Sequence, residues 1–335
     1  MPIVRISLVT PTAITFAENV SHAVGHDVFV KHDDATHPRY GGNKVRKLEY
    51  LLADARARRA TDLVTVGAVG SNHVLATTVH GIAAGFRVEA LLVPQPASPY
   101  VERNLRADLA QGAVLSAASA WQVPWRIIAR VIALRMDGRV PYVIPPGGSS
   151  PTGARGYIDA VDELRQQLLT LGIREPDVCV CALGSGGTLA GLIAGYRLYR
   201  LTGAVWGVRV TERWMSTRTR VASLANRAMA LAAPHVGPRA VTSADVRVVT
   251  DQLGHGYGHP TDAAREALDL FARDDITFDL TYTGKAAAGL LAMARSNPTR
   301  QRYLFWNTLS SAPSGALTCD RAAEIPAPLR ALMRT

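Results

Sequence analysis

The chain has 335 residues, of which 48% are hydrophobic and 19% charged, and a formal net charge of +10. That length supports one large or two medium domains, and that balance is ordinary for a compact fold, which excludes disordered and fibrous classes. No apolar run reaches the roughly 18 residues that a membrane span needs.

The first twenty residues, MPIVRISLVTPTAITFAENV, lack the charged start, apolar centre and cleavage site of a secretory signal. Three cysteines, Cys179, Cys181 and Cys319, are too few and too odd in number for a disulfide framework. A reducing cytoplasm is therefore the expected compartment. The positive charge raises the question of nucleic acid. Yet the arginines are spread along the chain, with no long basic run and no interleaved aromatics, so no nucleic-acid partner is expected. One oddity stands out. Of 37 Lys and Arg residues only four are lysines: Lys31, Lys44, Lys47 and Lys285.

In chain order, strand-like and helix-like segments alternate. DVFV (27–30) reads as a strand. Val45, Leu48, Leu52 and Ala55 then recur at helical spacing through 44–60. LVTV (63–66) is a strand and NHVLATTVHGIAAG (72–85) a helix, followed by the strand VEALLV (88–93). PYVIP (141–145) is a strand and 153–170 a helix. VCVCAL (178–183) and TLAGLIAGYRLYR (188–200) repeat the alternation, with further strands at VWGVRV (205–210) and YLFWNT (303–308). Continuous apolar strands between helices predict βαβ units and an α/β fold with two parallel sheets, one around 50–150 and one around 175–310. The cleft between them is the expected ligand site.

Two stretches carry chemistry. CALGSGGTLAG (181–191) follows a strand and opens a helix, so its backbone N–H groups and the helix end favour an anion such as phosphate. It lacks the Gly-Lys-Ser/Thr of a Walker loop. The third glycine of a dinucleotide fingerprint falls on Leu189. A smaller cofactor with a single phosphate fits better. Lys44, in RYGGNKVRKLEY, is a candidate Schiff-base amine, a role arginine cannot fill. Pyridoxal phosphate supplies both an aldehyde and one phosphate, and so links the two stretches.

Six ordered motifs then carry a resemblance: GGNKVRKLEYLLADA, GSNHVLATTVHGIAAG, YVIPPGGSSPTGARGY, GSGGTLAG, GHGYGHPTDAAREAL and DLTYTGKAAAGLLA. Over residues 28–310 the chain resembles the D-cysteine desulfhydrase and 1-aminocyclopropane-1-carboxylate deaminase family of pyridoxal-phosphate enzymes, of the tryptophan-synthase-β-like fold type II. The resemblance implies a large domain of residues 1–48 plus 160–335 and a small α/β domain of 49–159, with the cofactor in the cleft between them. It implies Lys44 as the Schiff-base lysine and Ser71 as proton carrier beside the substrate carboxylate. Asn72 would meet the cofactor ring hydroxyl, and Ser185, Gly186, Gly187 and Thr188 its phosphate. Thr308 would lie near the ring nitrogen. His73, Tyr257 and Tyr282 would border the substrate, Tyr282 as acid or base. A homodimer acting on a small amino acid is expected, with no metal.

Other readings are structural. Ser71-Asn72 is a good helix start, Lys285 is a structural residue, and Cys179 and Cys181 are core residues. His32, Asp33, Asp34 and His37 read as a solvated loop. The family's deaminase branch is distinguished by a Tyr-Glu pair, and here the pair is Tyr282-Thr283. That difference points to β-elimination, with a β- or γ-replacement synthase, a deaminase, or a binding protein that has lost its chemistry as alternatives. The chain also departs from the family at Gly70, at Val74-Leu75 and in NTLSS (307–311).

Overall fold

The computed structural model describes residues 4–235, 240–312, 317 and 324–334; Cys319 lies outside them. The chain begins with β1 (Ile14–Phe16), α1 (Glu18–Val24) and β2 (Asp27–Lys31). Next come α2 (Asn43–Ala57), β3 (Asp62–Ala68), α3 (Asn72–Ala83), β4 (Arg87–Val93) and the short β5 (Gln95–Pro96). Then follow α4 (Pro99–Ala110), β6 (Val114–Ala117), α5 (Val123–Met136) and β7 (Pro141–Ile144). The second half holds α6 (Pro151–Leu171), β8 (Val178–Leu183), α7 (Gly187–Tyr199), β9 (Ala204–Arg209) and α8 (Arg218–Ala232). It continues with β10 (Arg247–Val249), α9 (Asp262–Ala272), α10 (Thr283–Ser296) and β11 (Arg302–Trp306), and ends with α11 (Ala327–Arg330) and β12 (Met333–Arg334).

The expected two sheets are present. The larger has six strands in the order β1-β2-β11-β8-β9-β10 and the smaller has four, β6-β4-β3-β7. Every pairing in them is parallel except that of the edge strand β1 with β2. Parallel strands must be buried on both faces, which is why β8 reads VCVCAL without alternation. Cys179, Cys181 and Trp306 face α6, α7 and α8 on one side of the large sheet. Phe305, with Phe271 and Phe278, packs toward α9 and α10 on the other. In the small sheet, Leu63 and Val88 pack against α2 and α3. Among the described residues its opposite face, with Val66 and Leu91, packs against Val123 and Ile127 of α5.

A buried ion cluster ties α2 to the large sheet. Arg46 donates to both oxygens of Asp33, at 2.7 and 2.9 Å, and to Glu163 at 2.9 Å. Tyr157 donates to Asp33 at 2.6 Å, and Lys31 contacts Glu163 and the Thr12 carbonyl. Asp33 is fully buried, so it does not belong to a solvated loop. A buried carboxylate needs a cation, and Arg46 on α2 is that cation. Gly156 of α6 completes the junction, because a Cβ there would run into the Arg46 carbonyl oxygen. Residues 48–49 fall inside α2 and 159–160 inside α6, so both helices run across the expected domain boundaries.

Candidate active site

Lys44 lies in the first turn of α2, whose fixed placement sets its position. Its amine donates to Asn43 Oδ1 at 2.7 Å. Burial pulls its pKa down from 10.5 to about 8, against the raising pull of the Asp279 carboxylate. Lys47 lies one turn further on and is buried. Its amine donates to the Gly147 carbonyl at 3.1 Å. Burial, and then the charge of Lys44, hold its pKa well below the ordinary lysine value.

These amines open onto a cavity of about 500 Å³. All eleven residues singled out from sequence line it: Lys44, Ser71, Asn72, His73, Ser185, Gly186, Gly187, Thr188, Tyr257, Tyr282 and Thr308. The strand ends and helix starts of both sheets bring them together, although they span more than 260 residues of chain.

One end is built for an anion. Gly186 takes φ +90°, a conformation open to glycine, and starts α7 without a side-chain cap of its own. Gly187 N donates to Ser149 Oγ at 3.0 Å, and Ser149 and Ser185 hydroxyls lie 2.8 Å apart. Asn43 Nδ2 donates to Thr188 Oγ1 at 3.0 Å. A Cβ on Gly187 would sit 2.5 Å from Ser149 Oγ and 3.0 Å from Lys47 Nζ. The Lys47 amine therefore stands at the glycine loop, buried, and among the described residues it donates to a carbonyl and pairs with no carboxylate. A phosphate accepts from such an amine, from hydroxyls and from a helix start together, so these residues fit the phosphate of pyridoxal phosphate.

At the small-sheet wall, Ser71 caps α3, its Oγ accepting from His73 N at 3.2 Å and Val74 N at 3.4 Å. Asn72 Oδ1 accepts from Tyr40 at 3.2 Å, from Asn104 at 2.9 Å and from Tyr100. Three donors on one oxygen fix the amide and leave its NH₂ as the donating side. The His73 ring lines the cavity but pairs with Thr65 Oγ1 at 3.0 Å. Burial, with Lys44 and Lys47 nearby, pushes its pKa well below normal, so the ring stays neutral.

At the opposite end, the Tyr257 and Tyr282 hydroxyls are hydrogen-bonded to each other. Burial raises the Tyr257 pKa to about 12 and that of Tyr282 well above its ordinary value, so both keep their protons at neutral pH. Asp279 holds this corner. Its Oδ1 accepts from Thr281 N and Tyr282 N, and its Oδ2 from Thr283 N and from the Thr283 hydroxyl at 2.9 Å. Lys285 donates to the carbonyls of Leu253 and Gly256, at 2.7 and 3.0 Å, and Glu212 accepts from Tyr257 N at 3.2 Å. Both contacts pin the loop that presents Tyr257.

Lys47, Ser149, Asn43, Asp279, Tyr40, Tyr100 and Asn104 were not singled out from sequence as site residues. Lys47 carried the one readable signal, being a lysine kept in a chain that otherwise uses arginine. Among the described residues no helix is long and apolar enough to cross a membrane.

Known proteins resemble this chain in sequence and fold. The sequence profile described as pyridoxal-phosphate dependent enzyme matches residues 6–308. A Pyrococcus abyssi protein provisionally named as a 1-aminocyclopropane-1-carboxylate deaminase is 33% identical over 91% of each chain. A D-cysteine desulfhydrase of Salmonella paratyphi C is 35% identical, covering 86% of this chain and 87% of its own. A solved structure described as an ACC deaminase homologue superposes with a TM-score of 0.80 at 32% identity, covering 93% of each chain. The chain belongs to the pyridoxal-phosphate dependent enzymes, in the group that holds the ACC deaminases and D-cysteine desulfhydrases.

Proposed function

We propose that this enzyme carries out β-elimination on a small β-substituted amino acid, as a D-cysteine desulfhydrase does, releasing ammonia and a 2-oxo acid. The observation that carries the reading is the state of position 283. Thr283 stands where the deaminase branch has glutamate, and its hydroxyl is bonded to Asp279. Both Asp279 oxygens also accept backbone N–H groups, Oδ1 from Thr281 and Tyr282 before α10 and Oδ2 from Thr283 at its start. Position 283 thus offers a hydroxyl and no carboxylate to keep a ring nitrogen protonated, and Thr308 likewise offers only a hydroxyl. That arrangement suits a substrate with a good β-leaving group, which asks less of the electron sink.

Pyridoxal phosphate, when bound, supplies an aldehyde for an amine and a ring that draws electrons from the substrate α-carbon. Ser185, Gly186, Gly187, Thr188 and Lys47 would hold its phosphate, the Asn72 NH₂ its ring hydroxyl, and Thr308 its nitrogen side. Lys44 would hold the aldehyde and would serve as base at the α-carbon, its amine being neutral in a useful fraction near pH 8. Ser71 and the start of α3 bind the substrate carboxylate. The Ser71 oxygen already accepts two backbone N–H groups, which favours its proton as a donor. Tyr282 keeps its proton at neutral pH and would offer it as a hydrogen bond to the departing group, with Tyr257 bonded behind it.

We also propose the division into residues 1–48 plus 160–335 and 49–159, with α2 and α6 shared across it. A cytoplasmic setting is proposed as well, and the free, buried thiols of Cys179 and Cys181 suit it. The test is a screen of D- and L-amino acids with β-leaving groups for pyruvate release. Release from at least one, abolished in Lys44→Ala, is expected. No release from any, with a new amino acid formed when a thiol is added, would replace this reading with a synthase.

A further inference from the structure

At the tyrosine end the cavity runs on past the two hydroxyls. Glu212 Oε1 accepts from Tyr257 N at 3.2 Å. A Cβ on Gly184 would sit 3.7 Å from the Tyr282 ring and 3.8 Å from the Thr211 methyl group. The segment after β9 therefore flanks both tyrosines, and Trp214 and Met215 carry its lining further. Across the cleft, a Cβ on Gly258 would meet the Pro96 ring at 3.1 Å, so the Tyr257 loop also abuts the small-sheet side. Val93, Pro94, Val123 and Pro124 continue that wall. Trp214 lines the cavity and is yet 69% exposed, which places it at the mouth.

The chemistry of this end is one-sided. Two valines and three prolines offer no side-chain donor or acceptor. The charged groups lining it are Glu212 and Asp279, both carboxylates. Lys44 and Lys47 stand by Asn43 and Gly147 at the cofactor end, and among the described residues no arginine lines the cavity. A hydrosulfide leaving group needs none of this apolar surface. An anionic one, such as sulfite, would meet two carboxylates.

We infer that the tyrosine end receives an apolar β-substituent, so that the preferred substrates are S-alkyl and S-arylalkyl cysteines and the departing group is an apolar thiol. The inference rests on the β-elimination proposed above. Tyr282 sets the direction, because a group that takes its hydrogen bond lies on the tyrosine side and extends toward the mouth. There Trp214 offers an aromatic face and Met215 a polarizable sulfur, with the prolines and valines opposite. The Cβ–S bond breaks with its electron pair on sulfur. The proton that makes the thiol is, in net terms, the one lost from the α-carbon. One water then supplies the carbonyl oxygen of pyruvate, and ammonia departs.

Pyruvate release by the loaded enzyme tests the inference, with S-benzylcysteine, S-methylcysteine and 3-sulfoalanine in both enantiomers. S-benzylcysteine should exceed S-methylcysteine in kcat/KM by about tenfold or more, as buried apolar groups do. 3-Sulfoalanine should fall about a hundredfold or more below S-methylcysteine, from like-charge repulsion. Trp214→Ala should cut the benzyl-over-methyl ratio by about tenfold, while Leu169→Ala, on the exposed side of α6, should leave it unchanged. A second readout needs no turnover. 2-Amino-5-phenylpentanoate, the carbon analogue of S-benzylcysteine, has no leaving group. In titrations followed by cofactor absorbance it should bind about tenfold or more tighter than 2-aminopentanoate.

Pyruvate from S-methylcysteine with no benzyl preference would overturn the inference and leave β-elimination standing. So would a ratio that Trp214→Ala does not move, or 3-sulfoalanine consumed as well as S-methylcysteine. Pyruvate from no substrate would end the elimination reading instead. The titration then decides the pocket by itself: tighter binding of the phenyl analogue upholds it, and equal binding of the two overturns it.

Discussion

The two ends of the cavity are built from different materials. The phosphate end is mostly backbone: a left-handed glycine, a helix start and a turn that leaves no room for a Cβ, backed by one buried amine. The tyrosine end is mostly side chain, carried by a loop that Lys285 and Glu212 hold and a helix start that Asp279 caps. Backbone geometry tolerates little substitution, whereas side chains on pinned loops can be exchanged. A shared cofactor and divergent substrates follow from that contrast.

Mutations can sharpen or break this division. Lys44 serves both ends, and Lys44→Ala should lower elimination at least about a thousandfold, with loss of the absorbance of amine-bound cofactor. Activity within tenfold of wild type would end the assignment. Lys47→Met should act at the phosphate end alone. A lost charged hydrogen bond of about 1.5–3 kcal/mol corresponds to roughly 10–100-fold weaker cofactor binding by titration, with substrate preference unchanged. Lys285→Met should do the reverse, raising KM by about three- to tenfold through a loosened Tyr257 loop while leaving cofactor affinity alone. If both variants moved the same parameter, the two ends would not be separate.

The pH dependence tests Lys44 by itself. The group is a lysine whose pKa is lowered to about 8, so it is mostly protonated below that pH and mostly neutral above it. Uptake of the cofactor aldehyde needs the neutral amine. Its rate in apoprotein should climb about tenfold per pH unit below the pKa and level off above about 8. A flat profile from pH 6 to 9 would contradict the lowered value. The smallest effect expected is none. Thr283→Glu should not confer ring opening on 1-aminocyclopropane-1-carboxylate, assayed as 2-oxo acid release, because the new carboxylate would be buried beside Asp279.

The fold was legible because parallel strands write themselves as apolar runs such as VCVCAL, and their helices as periodic ones. The N-terminal edge strand β1 was missed, being three residues long and only partly buried. The helix α5 was missed for a different reason: its apolar groups point both at the sheet and at solvent. At the site, the glycine loop and Lys44 were legible because each is a local pattern with a chemical reason. Lys47 was not, since its partners Gly147 and Gly187 lie about a hundred residues or more along the chain. Asp33 misled for the same reason. Beside two histidines and another aspartate it read as loop, and only the fold supplies Arg46, Tyr157 and the burial.

The placement of the lysines has a practical consequence. Lys31, Lys47 and Lys285 are buried, and Lys44 faces the cavity. The folded surface therefore presents almost no lysine to acylating or aldehyde reagents, whatever its content of arginine. A small amine-directed probe that reacts with a lysine of the native protein should do so inside the cavity, at Lys44 or Lys47. The share of label lost in Lys44→Ala then counts competent Lys44 amines in a preparation, without any knowledge of the substrate.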